Sequence, residues 1–232
     1  MANSTLKTST RHIPGFITAV LFACFACATG AEVPRVMILG DELFAPAAAE
    51  IAKTLKGKAV VVHVKVPDDL PPATASALAA FDRIVGKEKW DVIHFNFGLG
   101  DLAHRAPGMK SFRVMSKRAG GIPATSADEY EKNLDALVQK LAKTGARLIW
   151  ASTPPITSAS REFLVPGSEV AYNQRAAAVM ARHGVPVNDL HAFLSEQLKP
   201  LKARIPDVLA LPKSIPFHPP MLAAITPLLA HN

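Results

Sequence analysis

The sequence predicts an α/β domain, a flavodoxin-like three-layer α/β/α sandwich on a five-stranded parallel sheet. Three observations lead there. Short β-rich runs alternate with stretches of helical period from about residue 32 onward, and such alternation implies parallel strands joined by right-handed crossovers. The runs are apolar almost throughout, as strands covered on both faces must be. Glycine punctuates the ends of the helical stretches, at Gly57, Gly86, Gly145 and Gly184, where a helix is easily stopped.

The elements follow in order. Arg35–Leu39 is the first strand, and Ala47–Gly57 a helix. Ala59–Val66, rich in valine, is the second strand. A proline-rich turn leads to a helix over Ala73–Gly86, and Asp91–Phe97 is the third strand. Gly98 to about Thr125 reads as a long irregular segment. The helix Ser126–Gly145 opens with Ser126 and Glu129 in capping-box spacing. Ala146–Ser152 is the fourth strand, Ser168–Gly184 a helix and Val185–Leu190 a short fifth strand. Pro219–Ala230 closes the chain as a helix.

The first 31 residues form a separate segment. Lys7 and Arg11 precede an apolar run from Ile13 to Ala28, and small residues continue to Ala31. That order is the one of a secretory signal peptide, with cleavage expected after Ala31 or Ala28. An uncleaved anchor, or lipid attachment at Cys24, are the alternatives. The run is short for a membrane span, which needs ~20 apolar residues. Cys24 and Cys27 are the only cysteines, so cleavage removes every thiol and disulfide. Residues 32–232 are then a single secreted or periplasmic domain. Losing Lys7 and Arg11 leaves 24 basic against 19 acidic residues, a mild surplus. The densest basic patch is His104–Arg118, read here as a solvated loop, because nucleic-acid binding calls for cations interleaved with aromatics on a known module. No nucleic-acid partner is expected, and no membrane partner after cleavage unless Cys24 is lipidated.

Topology alone locates a crevice. In a doubly wound sheet, the carboxyl ends of strands flanking the switch point build the site. They contribute Asp41 and Glu42 after the first strand and Gly98–Asp101 after the third; Ser214–His218 precede the last helix.

At these loops the chain resembles the SGNH/GDSL hydrolase superfamily, secreted esterases with a Ser/Gly/Asn/His set on a flavodoxin-like domain. "ILGDELF" resembles the opening Gly-Asp-Ser turn and "KWDVIHFNFGLGDL" the third block. "LPKSIPFHPP" falls where an Asp and His pair precedes the last helix. The resemblance covers the mature chain and implies the fold and an ester hydrolase ancestry. Its chemistry set departs from the pattern. Glu42 holds the serine position and Gly100 the asparagine position. The second block's glycine has no clear counterpart in "VPDDLPPATASALAAF". Either Pro216 or His218 falls at the histidine, with Ser214 or Ile215 at the acid.

A serine hydrolase needs its nucleophile, base, orienting acid and oxyanion donors together. The expectation is therefore a catalytically impaired pseudo-esterase that binds an acylated carbohydrate or other small ester. Its crevice would be formed by Asp41, Gly98, Gly100, Ser152 and Ser214. The first alternative is an active ester hydrolase, with Glu42, Asp101 and His218 as an unorthodox catalytic set in which two carboxylates face one crevice. The second is an envelope interaction protein without a small-molecule site. No cofactor and no metal is expected. His94 reads as a core histidine, His63 as pointing to the polar side or an edge, and His183 and His191 as helix-terminal. Trp90 and Trp150 read as packing residues, and Ser152 as a turn former.

Overall fold

The computed structural model describes Met1 and residues 32–109, 113–157, 163–204 and 215–230. The chain divides into two compact units, Met1–Glu32 and Val33–Asn232, and the second carries every described strand and helix. The expected signal segment with Cys24 and Cys27, and Ser214, lie outside the described residues. Among those described, no helix is long and apolar enough to cross a membrane.

Five parallel strands form one sheet in the order β2-β1-β3-β6-β7, from β1 (Arg35–Leu39), β2 (Val60–Val64), β3 (Val92–Phe95), β6 (Arg147–Ala151) and β7 (Val187–Asn188). This is the doubly wound order, with its switch point between β1 and β3. Side chains alternate across the sheet. Met37, Leu39, Ile93, Phe95, Leu148 and Trp150 enter one core; Val36, Ile38, Val92, Ile149 and Ala151 enter the other. The first core is covered by α2 (Thr74–Ala79), α3 (Phe81–Val85), α5 (Ala127–Ala142) and α6 (Ser168–His183). The second is covered by α1 (Ala45–Thr54), α7 (Leu190–Arg204) and α8 (His218–Leu229). The expected three layers and five parallel strands are both present.

Ser126 caps α5 as expected, its Oγ accepting the Glu129 N–H at 3.3 Å. Trp90 and Trp150 are buried, and Trp90 Nε1 donates to the Val85 carbonyl at 2.9 Å. Four expectations are corrected. Ala73–Gly86 is two short helices that break at Ala80. Strands two, three and five are shorter than expected, the last limited to Val187–Asn188 just after Pro186. The irregular segment contains α4 (Leu99–Leu102) and a small antiparallel pair, β4 (His104–Arg105) with β5 (Ile122–Pro123). Finally, α7 has no counterpart among the expected elements: its first turn follows the fifth strand directly and Pro200 lies inside it.

Candidate functional site

The turn after β1 builds one wall of a cavity of about 410 Å³ at the carboxyl ends of β1 and β2. Gly40 N–H donates to Val64 O at 3.0 Å, continuing the β1–β2 ladder by one step. Asp41 then caps the 3-10 turn Glu42–Phe44, its Oδ1 accepting the Leu43 N–H at 2.9 Å. This is the standard reason for an aspartate there: a helix start leaves N–H groups without partners. The cavity floor is apolar (Val66, Leu70, Phe97 and Leu99), with exposed Pro72 at its edge, and Asp41, Glu42, Lys65 and Asp68 form its polar rim.

Glu42 lies on that rim, with its side chain 71% exposed, in an ion pair with Lys65. Lys65 also reaches Asp68 Oδ1 at 2.8 Å. The two carboxylates, Asp68 first and Glu42 second, raise the lysine's pKa. Among the described residues no histidine lines the cavity. His63 of β2 is tied to the turn from outside it, with Nε2 3.1 Å from the Asp41 carbonyl oxygen.

The residues expected beside Glu42 are dispersed. Asp101 is fully buried and faces away from the cavity. Its carboxylate accepts the Thr74 N–H at 3.1 and 3.2 Å and the Thr74 hydroxyl at 2.6 Å, so from α4 it caps the start of α2. Burial raises its pKa to about 6, against hydrogen bonds from Thr74 and Thr125 that pull it down. The expected pairing of Glu42 with Asp101 across one crevice is corrected accordingly. His218 begins α8 and sits against α1. Glu50, held low mainly by Lys53, also feels the His218 charge to a smaller extent. The preceding Phe217 packs edge-on against Phe44 at 5.7 Å.

Gly98 and Gly100 are explained by close approach. A Cβ on Gly98 would sit 2.0 Å from Thr153 Oγ1, and one on Gly100 would sit 1.7 Å from the Pro72 carbonyl oxygen. The position where the family resemblance places an asparagine is therefore closed by backbone. The segment that closes it offers the cavity no donor. Leu70 N–H goes to Pro67 O, Ala73 N–H to Pro71 O and Thr74 N–H to Asp101, while Pro71 and Pro72 have none.

Ser152, expected at the crevice, is instead buried on the far side of the sheet's end. Its hydroxyl donates to Asp189 Oδ1 at 2.8 Å and accepts the His191 N–H at 2.8 Å. Asp189 also accepts the Ala192 N–H at 3.0 Å, so the pair closes the amino end of α7. His191 thus sits in the first turn of a helix, not at the end that favours a cation. Ser152→Ala is expected to cost ~0.5–1.5 kcal/mol, because it removes a buried hydroxyl that holds the partly exposed first turn of α7. Urea unfolding checks this, and a residue merely lining the crevice would show no such loss.

The sequence alone does not single out Lys65, Asp68, Leu70, Pro72, Phe97 or Leu99. A signal exists for the first two, because β2 neighbours β1 in this topology and its carboxyl end must share the cavity. Among the described residues no cluster of three or more metal-ligating side chains occurs.

No protein-family model and no curated protein sequence matches the chain. Solved structures do. Axe2, an acetylxylan esterase from Geobacillus stearothermophilus, superposes with a TM-score of 0.57 at 15% identity, covering 86% of this chain and 95% of its own. LAE5, an alpha/beta hydrolase enzyme from the metagenome of Lake Arreo, gives 0.56 at 18% identity, with 85% and 95% covered. A lipase/acylhydrolase from Enterococcus faecalis gives 0.53 at 17% identity, with 70% and 79% covered. At these identities the likeness establishes the fold, and that fold is the one the SGNH/GDSL resemblance implies.

Proposed function

We propose that this protein is a secreted SGNH-type hydrolase relative that has lost hydrolysis and uses its crevice to bind an acylated carbohydrate or other small ester. The observation that carries the reading is the cavity itself: Glu42 stands at its nucleophile turn, tied to Lys65, and no imidazole is among its described lining residues. An ester hydrolase needs a base within about 3 Å of the proton it takes. In a dissected serine protease, losing the nucleophile or base costs ~10⁶ in kcat. The cavity's volume falls within the ~300–1,000 Å³ of ligand pockets, and its apolar floor with a polar rim suits an acyl group joined to a hydroxylated ring.

The test is to purify residues 32–232 and assay short-chain aryl esters and acetylated xylo-oligosaccharides, with Glu42→Ala alongside. Both proteins are expected to hydrolyse at the background rate, while an acetylated oligosaccharide raises the melting temperature by mass action. A rate that vanishes in Glu42→Ala would establish an unorthodox enzyme instead. The absence of any ligand-induced stabilisation would point to an envelope interaction protein.

A further inference from the structure

The segment between α4 and α5 carries an amphipathic face that the crevice does not use. Between Asp101 and Asp128 the sequence has five cations, Arg105, Lys110, Arg113, Lys117 and Arg118, and no acid. The described part of this segment is a small antiparallel layer. Arg105 pairs with Ile122 on one side and forms an isolated bridge with Val114 on the other. Directly opposed residues of antiparallel strands project to the same face. Val114, Arg105 and Ile122 therefore form one row, while His104 and Ala106, of opposite parity, are buried. Val114 and Ile122 are 49% and 46% exposed, and Met109 is 41% exposed. Lys117 and Arg118, in the turn that joins Val114 to Ile122, are exposed, and so is Arg113, which neighbours Val114 along the strand and has the opposite parity. Among the described residues none of the three has an ion-pair partner. The arginines of α6 contrast with them: Arg175 and Arg182 are locked to Asp128, Glu131 and Asp135 of α5.

We infer that this face docks on an anionic lipid bilayer, with Val114 and Ile122 entering the headgroup boundary and Lys117 and Arg118 meeting the lipid charge. Solvation explains the cations, but Val114 and Ile122, set on either side of Arg105 on one face, add apolar area beside them. A soluble polyanion would satisfy the cations and leave that row in water. A charged bilayer satisfies both, because its surface attracts basic residues while its boundary takes apolar side chains. The inference is independent of what the crevice binds.

Residues 33–232 hold the entire sheet and both cores, so this part is used. Co-sedimentation is measured with neutral phosphatidylcholine vesicles and with vesicles containing about 30% phosphatidylglycerol, at low and high salt. Binding is expected to the anionic vesicles at low salt only. Reversing Lys117 and Arg118 together to Glu should weaken it at least about tenfold. Val114→Ser with Ile122→Ser should weaken it several-fold at unchanged melting temperature. Failure to bind the anionic vesicles overturns the proposal. So does binding that is indifferent to the two serines and equally competed by a single-stranded oligonucleotide, since that describes a general polyanion face.

Discussion

Gly100→Ala is expected to destabilise the fold by at least about 3 kcal/mol, beyond the usual range for overpacking. The added Cβ would lie 1.7 Å from the Pro72 carbonyl oxygen and 2.4 Å from its carbon. Both atoms are backbone, so no side chain can rotate out of the way. Relief requires the Pro71–Ala73 segment to move by more than an ångström. That segment leads into Thr74, whose N–H and hydroxyl both bond Asp101. Moving it pulls a buried carboxylate off its partners, which costs further free energy. Urea denaturation reads the effect directly, and a variant within about 1 kcal/mol of the parent would show that the seam yields.

Gly98→Ala supplies the contrast. Its Cβ meets Thr153 Oγ1 at 2.0 Å and Thr153 Cγ2 at 3.0 Å, both side-chain atoms. Thr153→Ala in the same chain should therefore recover part of the loss, whereas nothing short of rebuilding the loop recovers Gly100→Ala. The functional consequence is direct. Glu42→Ser with Gly100→Asn, which writes the family's residues back at both positions, is expected to produce poorly folded protein and no esterase. Pro72 fills the space the asparagine would need, and the Leu70–Thr74 stretch supplies no free N–H to an oxyanion.

The sheet is legible in the sequence because its signals are local: apolar runs, glycine stops and the spacing between them. The cavity is half legible for the same reason, since the turn after β1 and the segment after β3 are named by topology. What stays hidden is pairing through space. Nothing in "GLGDL" says that Asp101 turns inward to cap a helix starting 27 residues earlier, rather than outward to Glu42. Ser152 looks like a crevice residue only while α7 is missing. Once Leu190–Arg204 is a helix, its first turn needs a partner, and Ser152 with Asp189 provides it. That helix is concealed by Pro200 and by charged residues that blur its apolar stripe. His218 keeps its place in the chain but follows Phe217, whose ring is anchored on Phe44, and so sits against α1.

Asp101→Asn is expected to make the protein markedly acid-labile, and the reason lies in a second buried group. His94 is fully buried in β3, with Asn188 Nδ2 at 3.0 Å from its Nε2 and, among the described residues, no partner for its Nδ1. Burial lowers its pKa to about 4 from 6.5. The folded state thus binds fewer protons than the unfolded chain, and the stability His94 contributes above pH 6.5 is lost as pH falls toward 4. Asp101 runs the other way. Its pKa is raised from 3.8 to about 6, so the stability it contributes is full below 3.8 and is lost as pH rises through 6. Each change amounts to roughly 3 kcal/mol across its window, at ~1.4 kcal/mol per decade. The windows overlap and the slopes oppose, so in the parent protein they nearly cancel between pH 4 and 6. Removing Asp101 exposes the His94 slope, and stability should fall by ~2–3 kcal/mol between pH 6.5 and 4. His94→Leu should do the reverse, gaining on acidification relative to the parent. The partly exposed carboxylates held low by ion pairs, such as Glu131 and Asp135, titrate alike in all three proteins and drop out of the differences. Urea midpoints of the three at pH 4, 5, 6 and 7 decide it. Parallel curves would mean that the two buried groups do not titrate in opposition, and the compensation would have to be abandoned.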